Sequence, residues 1–73
     1  MKEIVFEVEQ ELDGSFVAEA KISPQEQIIT QGSTIEELKM MIKDAIACHF
    51  DNEDDMPTIV RLHIVTNEIF ALA

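Results

Sequence analysis

Cys48 and His49 are the residues whose types come nearest to chemistry, since a thiolate and an imidazole can form a nucleophile and base. Their spacing defeats the pairing. Adjacent residues on a helix point about 100° apart, so the two side chains cannot meet without help from elsewhere. His63 could join them as a third zinc ligand, but Cys48 is the single cysteine and no pair of ligands stands at metal spacing. His49 falls on an apolar helical stripe, where a satisfied core or boundary histidine is expected, and Cys48 reads as a small hydrophobe.

The acidic run Asp51-Asn52-Glu53-Asp54-Asp55 raises calcium. With Asp51 at the first position of an EF-hand loop, Glu53 and Asp55 take ligand positions. Met56 then stands where the loop needs glycine, and Leu62 where it needs a bidentate glutamate. Pro57 interrupts as well, so the run reads as a solvated turn. Gly14 and Gly32 are too far apart for a phosphate-binding loop. Ser15, Ser23 and Ser33 lack the flanking glycines of a nucleophile elbow. Nothing in the spacing forces two carboxylates into one pocket for acid–base work. The reading is of a non-enzyme with no cofactor and no metal.

Charge points the same way. The chain has 15 acidic residues against 5 basic ones, a net charge of −10. Such a surface repels nucleic acid and anionic lipid, and suits a basic protein partner. Lys2, Lys21, Lys39, Lys43 and Arg61 are scattered rather than gathered into a basic footprint. Without Trp or Tyr there is no stacking platform for bases. The N-terminus carries acids inside its apolar run, so it does not read as a secretory signal, and no stretch approaches the ~20 apolar residues of a membrane span. A cytoplasmic location is expected, and a lone cysteine fits a reducing compartment.

The 73 residues make one domain, 1–73, with one core. Ile4, Phe6 and Val8 alternate with Val5, Glu7 and Glu9, giving a strand with one face on a core. Asp13-Gly14-Ser15 turns the chain into a second strand, Phe16 to Ile22, and a hairpin. After the break at Ser23-Pro24-Gln25, Ile28-Ile29-Thr30 reads as a short third strand. Thr34 with Glu37, or Ser33 with Glu36, forms a capping box that opens a helix. Ile35, Leu38, Ile42, Ala45, Ile46 and His49 fall within about a 100° arc, and the helix should end near Phe50. Thr58 to Val65 is β-branched and apolar, the strongest strand signal in the chain. Ile69 to Leu72 reads as a short fifth strand able to pair back as a hairpin. The fold class is therefore α+β, in the order β-β-β-α-β, with one helix on one face of a mainly antiparallel sheet.

One helix leaves the other sheet face open, with Val5, Val17, Glu7, Glu19 and Lys21 on it. Either Ile59, Arg61, His63 and Val65 or Val60, Leu62 and Ile64 join them; the alternation alone leaves this undecided. The apolar members of that face, with the apolar last segment, suggest an association surface. A homo-oligomer contacting through Val5, Val17, Ile69, Phe70 and Leu72 is expected.

The opening Ile4-Val5-Phe6-Glu7-Val8, the Asp13-Gly14-Ser15-Phe16-Val17-Ala18 hairpin and the Gln31-Gly32-Ser33-Thr34-Ile35-Glu36-Glu37-Leu38 helix start resemble the HicB-like antitoxin domain. The resemblance spans Ile4 to about Phe70. It implies a pared-down fold of the ribonuclease H or double-stranded-RNA-binding kind. It implies a non-catalytic module that holds a small, basic, messenger-RNA-cleaving toxin of the HicA type. An orphan member without a toxin, a structural homo-oligomer, is the alternative. Complete HicB proteins add a DNA-binding segment, for which these residues offer no counterpart. On this reading Glu7, Glu9 and Glu19 on the open face, and Asp54 and Asp55 in the acidic loop, are the candidate partner contacts.

Overall fold

The computed structural model describes residues 3–66, 68 and 70–72. Strands β1 (Glu3–Gln10), β2 (Phe16–Ser23) and β3 (Glu26–Gly32) are followed by helix α1 (Ile35–His49), a single 3-10 turn η1 (Glu53–Asp55) and strand β4 (Ile59–Val65). The order β-β-β-α-β and the α+β class agree with the sequence reading. The four strands form one sheet in the order β3-β2-β1-β4.

Local chemistry explains each junction. At the β1–β2 turn Gly14 takes a φ of +91°, which a side chain would disfavour. Asp13 completes that turn by accepting from the Ser15 backbone N–H at 2.9 Å and from its hydroxyl at 2.6 Å. Pro24 and Gln25 make the tight connection from β2 to β3, and Gln25 N–H donates to Ser23 Oγ. The third strand is longer than Ile28–Thr30 because pairing with β2 extends order in both directions. At the helix start Glu37 N–H donates to Thr34 Oγ1 at 3.0 Å, and Ser33 N–H donates to Glu37 Oε1 at 2.9 Å. Of the two capping boxes the sequence allows, the Thr34–Glu37 one forms, with its carboxylate reaching one residue further back than usual. The helix ends at Phe50, whose N–H donates to the Ile46 carbonyl.

Ile4, Phe6, Val8, Ala18, Ala20 and Ile28 bury one sheet face against Leu38, Ile42 and Ile46 of α1. Phe6, Leu38 and Val8 are the largest fully buried side chains. Small residues decide where the helix lies. Ala18 and Ala20 leave room above β2, and at Gly32 a Cβ would come within 2.6 Å of the Leu38 backbone nitrogen. The helix therefore sits low over β3 and β2, and its backbone does not approach β4.

That placement has a consequence for β4. The chain crosses from one sheet edge to the other between β3 and β4, and α1 covers only the first part of the crossing. Residues 50–58 complete it. Strand β4 pairs parallel with β1, in the register Glu3↔Ile59 to Glu9↔Val65. Val60, Leu62 and Ile64 share the helix side with Ile4, Phe6 and Val8. Only Leu62 is half-buried, and the other six residues of β4 are exposed. Beyond β4, the expected fifth strand does not form at Phe70, Ala71 or Leu72, and Ile69 lies outside the described residues.

Candidate functional site: the open face of the sheet

Register settles which residues share the uncovered face. Glu7 stands opposite Glu19 and Glu9 opposite Val17 on β1 and β2. On the other flank Val5 neighbours Arg61, and Glu7 neighbours His63. Gln27, Ile29 and Gln31 of β3 close the face beyond β2. The choice left open for β4 thus falls on Ile59, Arg61, His63 and Val65. The parity rule of strands carries Glu7, Glu9 and Glu19 to one side because Phe6, Val8 and Ala18 are needed in the core.

The glutamates gather around Val17. Glu7, Glu9, Glu11 and Glu19 line a cleft of about 210 Å³ whose one apolar wall is Val17. Glu11 completes this cluster although it lies just past the end of β1. Its position follows from the turn, where Glu11 N–H donates to the Ser15 carbonyl and holds the chain against β2. Periodicity cannot place a residue beyond the last strand position, so Glu11 was not legible by alternation.

Beside the cleft the face carries its own basic side chains. Arg61 Nε donates to Glu3 Oε1 at 2.8 Å, and His63 Nδ1 lies 2.6 Å from Glu7 Oε2. Among the described residues, Glu9 and Glu19 have no salt-bridge partner. The acids without an ion-pair partner among the described residues thus include Glu9 and Glu19 beside Val17. Val5, Ile29, Ile59 and Val65 stand exposed between the charges, so the surface mixes apolar islands with carboxylates.

Asp54 and Asp55 do not join this cluster. Their turn η1 leads into β4 at Ile59, which pairs with Glu3 at the opposite end of the sheet. Asp55 instead helps line a shallow cavity with Glu26, His49, Phe50, Asp51 and Asn52. There His49 Nε2 lies 3.0 Å from Glu26 Oε2 and ties the helix end to the start of β3. Asn52 caps η1 by accepting from the Asp54 N–H. His49 is on the helix side of the sheet and His63 on the open side, so the two histidines and the exposed Cys48 are not brought together. Among the described residues, no three His, Cys, Asp or Glu side chains are grouped so as to hold a metal ion. No helix among them is long and apolar enough to cross a membrane.

The residues expected at an oligomer contact are divided. Val5 is exposed and Val17 half-buried on the open face, while Phe70 and Leu72 are exposed beyond β4. Ile69 lies outside the described residues.

Relatives share this sequence over most of its length. A UPF0150 protein of Thermotoga maritima is 39% identical over 71 residues, covering 97% of this chain and 94% of its own. The chain belongs to the UPF0150 family. A second UPF0150 protein, from Archaeoglobus fulgidus, is 41% identical over 56 residues, covering 77% of each. No family model and no solved structure matches the chain. The UPF0150 name states no activity, so for this member of the family the open face itself must carry the functional argument.

Proposed function

We propose that this UPF0150 chain is a non-catalytic, protein-binding module whose open sheet face receives a small basic protein. The observation that carries the reading is the pairing of Glu7 with Glu19 inside a cleft that also holds Glu9 and Glu11. Like charges directly opposite on a sheet destabilise the folded chain. Folding alone gains nothing from assembling them, whereas a cationic partner relieves the repulsion on binding. The exposed Val5, Ile29, Ile59 and Val65 supply the apolar contact that charge alone lacks.

The resemblance to the HicB-like antitoxin domain gives the partner a chemical class: a small, basic ribonuclease toxin of the HicA type. An acidic sheet face of this kind imitates the charge of the toxin's own substrate and speeds encounter with it. The module would act by covering the toxin's RNA-binding surface rather than by any reaction of its own.

Co-expression with a HicA-type toxin tests this directly. The expected result is a complex that survives purification and suppresses messenger-RNA cleavage. Charge reversal at Glu7 and Glu19 should release the cleavage while leaving the circular dichroism of the isolated domain unchanged. Failure of the unaltered domain to bind or to inhibit such a toxin would remove the proposal.

A further inference from the structure

We propose that two copies of the chain join at the β4 edge, each laying its 68–72 segment into the groove between α1 and β4 of the other. The groove is lined by Lys39, Ile42, Lys43, Val60 and Leu62 and encloses about 220 Å³. Its floor is apolar, and its rim carries two of the 5 basic residues in a chain of net charge −10. A basic partner suited to the open face is repelled there. An apolar segment with an acid at one end is attracted.

The chain contains such a segment. Residues 68–72 read Glu-Ile-Phe-Ala-Leu. Phe70 and Leu72 are 77% and 94% exposed, so both apolar side chains are free to enter a groove. Two positions apart on an extended chain, they present their side chains to the same side. Glu68 brings the matching charge for Lys39 or Lys43.

The backbone of β4 completes the fit. This strand is hydrogen-bonded to β1 on one side and, among the described residues, has no strand neighbour on the other. A free edge pairs readily with an added extended segment, whose alternate side chains then enter the adjoining pocket. The donor is assigned to a second copy because the segment follows β4 directly. Val60 and Leu62 lie in the first part of β4, so a chain's own segment must reverse fully to reach them. In the structure Phe70 and Leu72 instead stand clear of the body. A two-fold axis gives both copies the same contact at once.

Light scattering and cross-linking decide between the occupants. In a Cys48→Ala background, one preparation carries Val60→Cys and a second carries Phe70→Cys. The unaltered chain should have about twice the mass of one copy, and the mixed preparations should give a disulfide-linked pair on oxidation. Phe70→Asp with Leu72→Asp should reduce the mass to that of one copy with helix content unchanged, because both positions are exposed. Glu7→Lys on the open face should leave the mass of the pair unaltered. A single-copy mass for the unaltered chain over a wide range of concentration would overturn the proposal. So would a link formed only within one chain when both cysteines are placed on it. A pair split by Glu7→Lys but not by the Phe70 and Leu72 changes would place the contact on the open face instead and also overturn it.

Discussion

Glu7 faces Glu19 across the β1–β2 ladder, while on its other side its carboxylate lies 2.6 Å from the imidazole of His63. One residue is thus held between a like charge and a potential cation, in the middle of a sheet face that no helix covers. The first pairing opposes folding and the second offsets part of that opposition. Replacing Glu19 by Gln removes the repulsion without disturbing the core. The isolated domain should gain roughly 0.2–1 kcal/mol, the range of cross-strand pairs, seen as a higher urea midpoint with unchanged slope. A lower midpoint would mean that the juxtaposed glutamates are not a cost to the fold.

Gly32 is set by a close approach rather than by an unusual backbone angle. An added Cβ would lie 2.6 Å from the nitrogen and 2.8 Å from the Cα of Leu38, both backbone atoms in the first turn of α1. The helix would have to lift from β3. Gly32→Ala should cost about 1–3 kcal/mol, as overpacking does, measured by chemical denaturation. Gly14→Ala makes a useful contrast, because nothing lies within 4 Å of its Cβ and its cost is that of the +91° φ alone.

Thr34 and Glu37 close the helix start reciprocally with Ser33. Thr34→Ala should destabilise by about 1 kcal/mol, whereas Thr34→Asn or Thr34→Asp should restore most of the loss. Thermal unfolding of the three variants checks this, and an Ala variant as stable as the parent would show that the cap contributes nothing.

Asp13 links the turn to pH. The Ser15 hydroxyl, and next the Ser15 backbone N–H, hold the Asp13 carboxyl below its ordinary value. A carboxylate depressed on folding contributes stability above its unfolded pKa, and loses it as pH falls through the folded pKa. Ser15→Ala removes the largest cause. Carboxyl titration by NMR should then show Asp13 moving up toward the ordinary value, with a smaller loss of stability on acidification. A titration unchanged by the substitution would contradict the assignment.

Much of the fold was legible from alternation and capping residues. Ile4, Phe6 and Val8 had to face a core, and the stripe Leu38, Ile42 and Ile46 had to meet it. The sequence allows a capping box at Thr34–Glu37 or Ser33–Glu36, and geometry selects the first. Strand β4 was legible as a strand but not as an exposed edge. Arg61 and His63 fall at one parity of β4, so alternation leans toward Val60, Leu62 and Ile64 on the helix side, but it does not show that the strand stands at an edge. The exposure follows from the place of β4 beside β1 and from α1 lying over β3 and β2, where Gly32, Ala18 and Ala20 let it pack closely.

The candidate site divides along the same line. Glu7, Glu9 and Glu19 were readable because strand parity forces them away from Phe6, Val8 and Ala18. Charge alone groups Asp54 and Asp55 with them, and charge does not report which end of a sheet a loop occupies. The Lys39–Lys43 rim of the groove beside β4 was hidden for a different reason. Lys43 reads as the solvent side of α1, and becomes a wall because β4 lies beyond the strands that the helix backbone approaches.

Calorimetric titration of a HicA-type toxin into the domain, at two salt concentrations, tests the central claim most directly. The account predicts saturable binding that weakens as salt rises, and a loss of about tenfold or more in affinity for the Glu7→Lys, Glu9→Lys, Glu19→Lys triple variant. Binding of equal strength to the parent and the triple variant would contradict it, as would the absence of any binding by the parent.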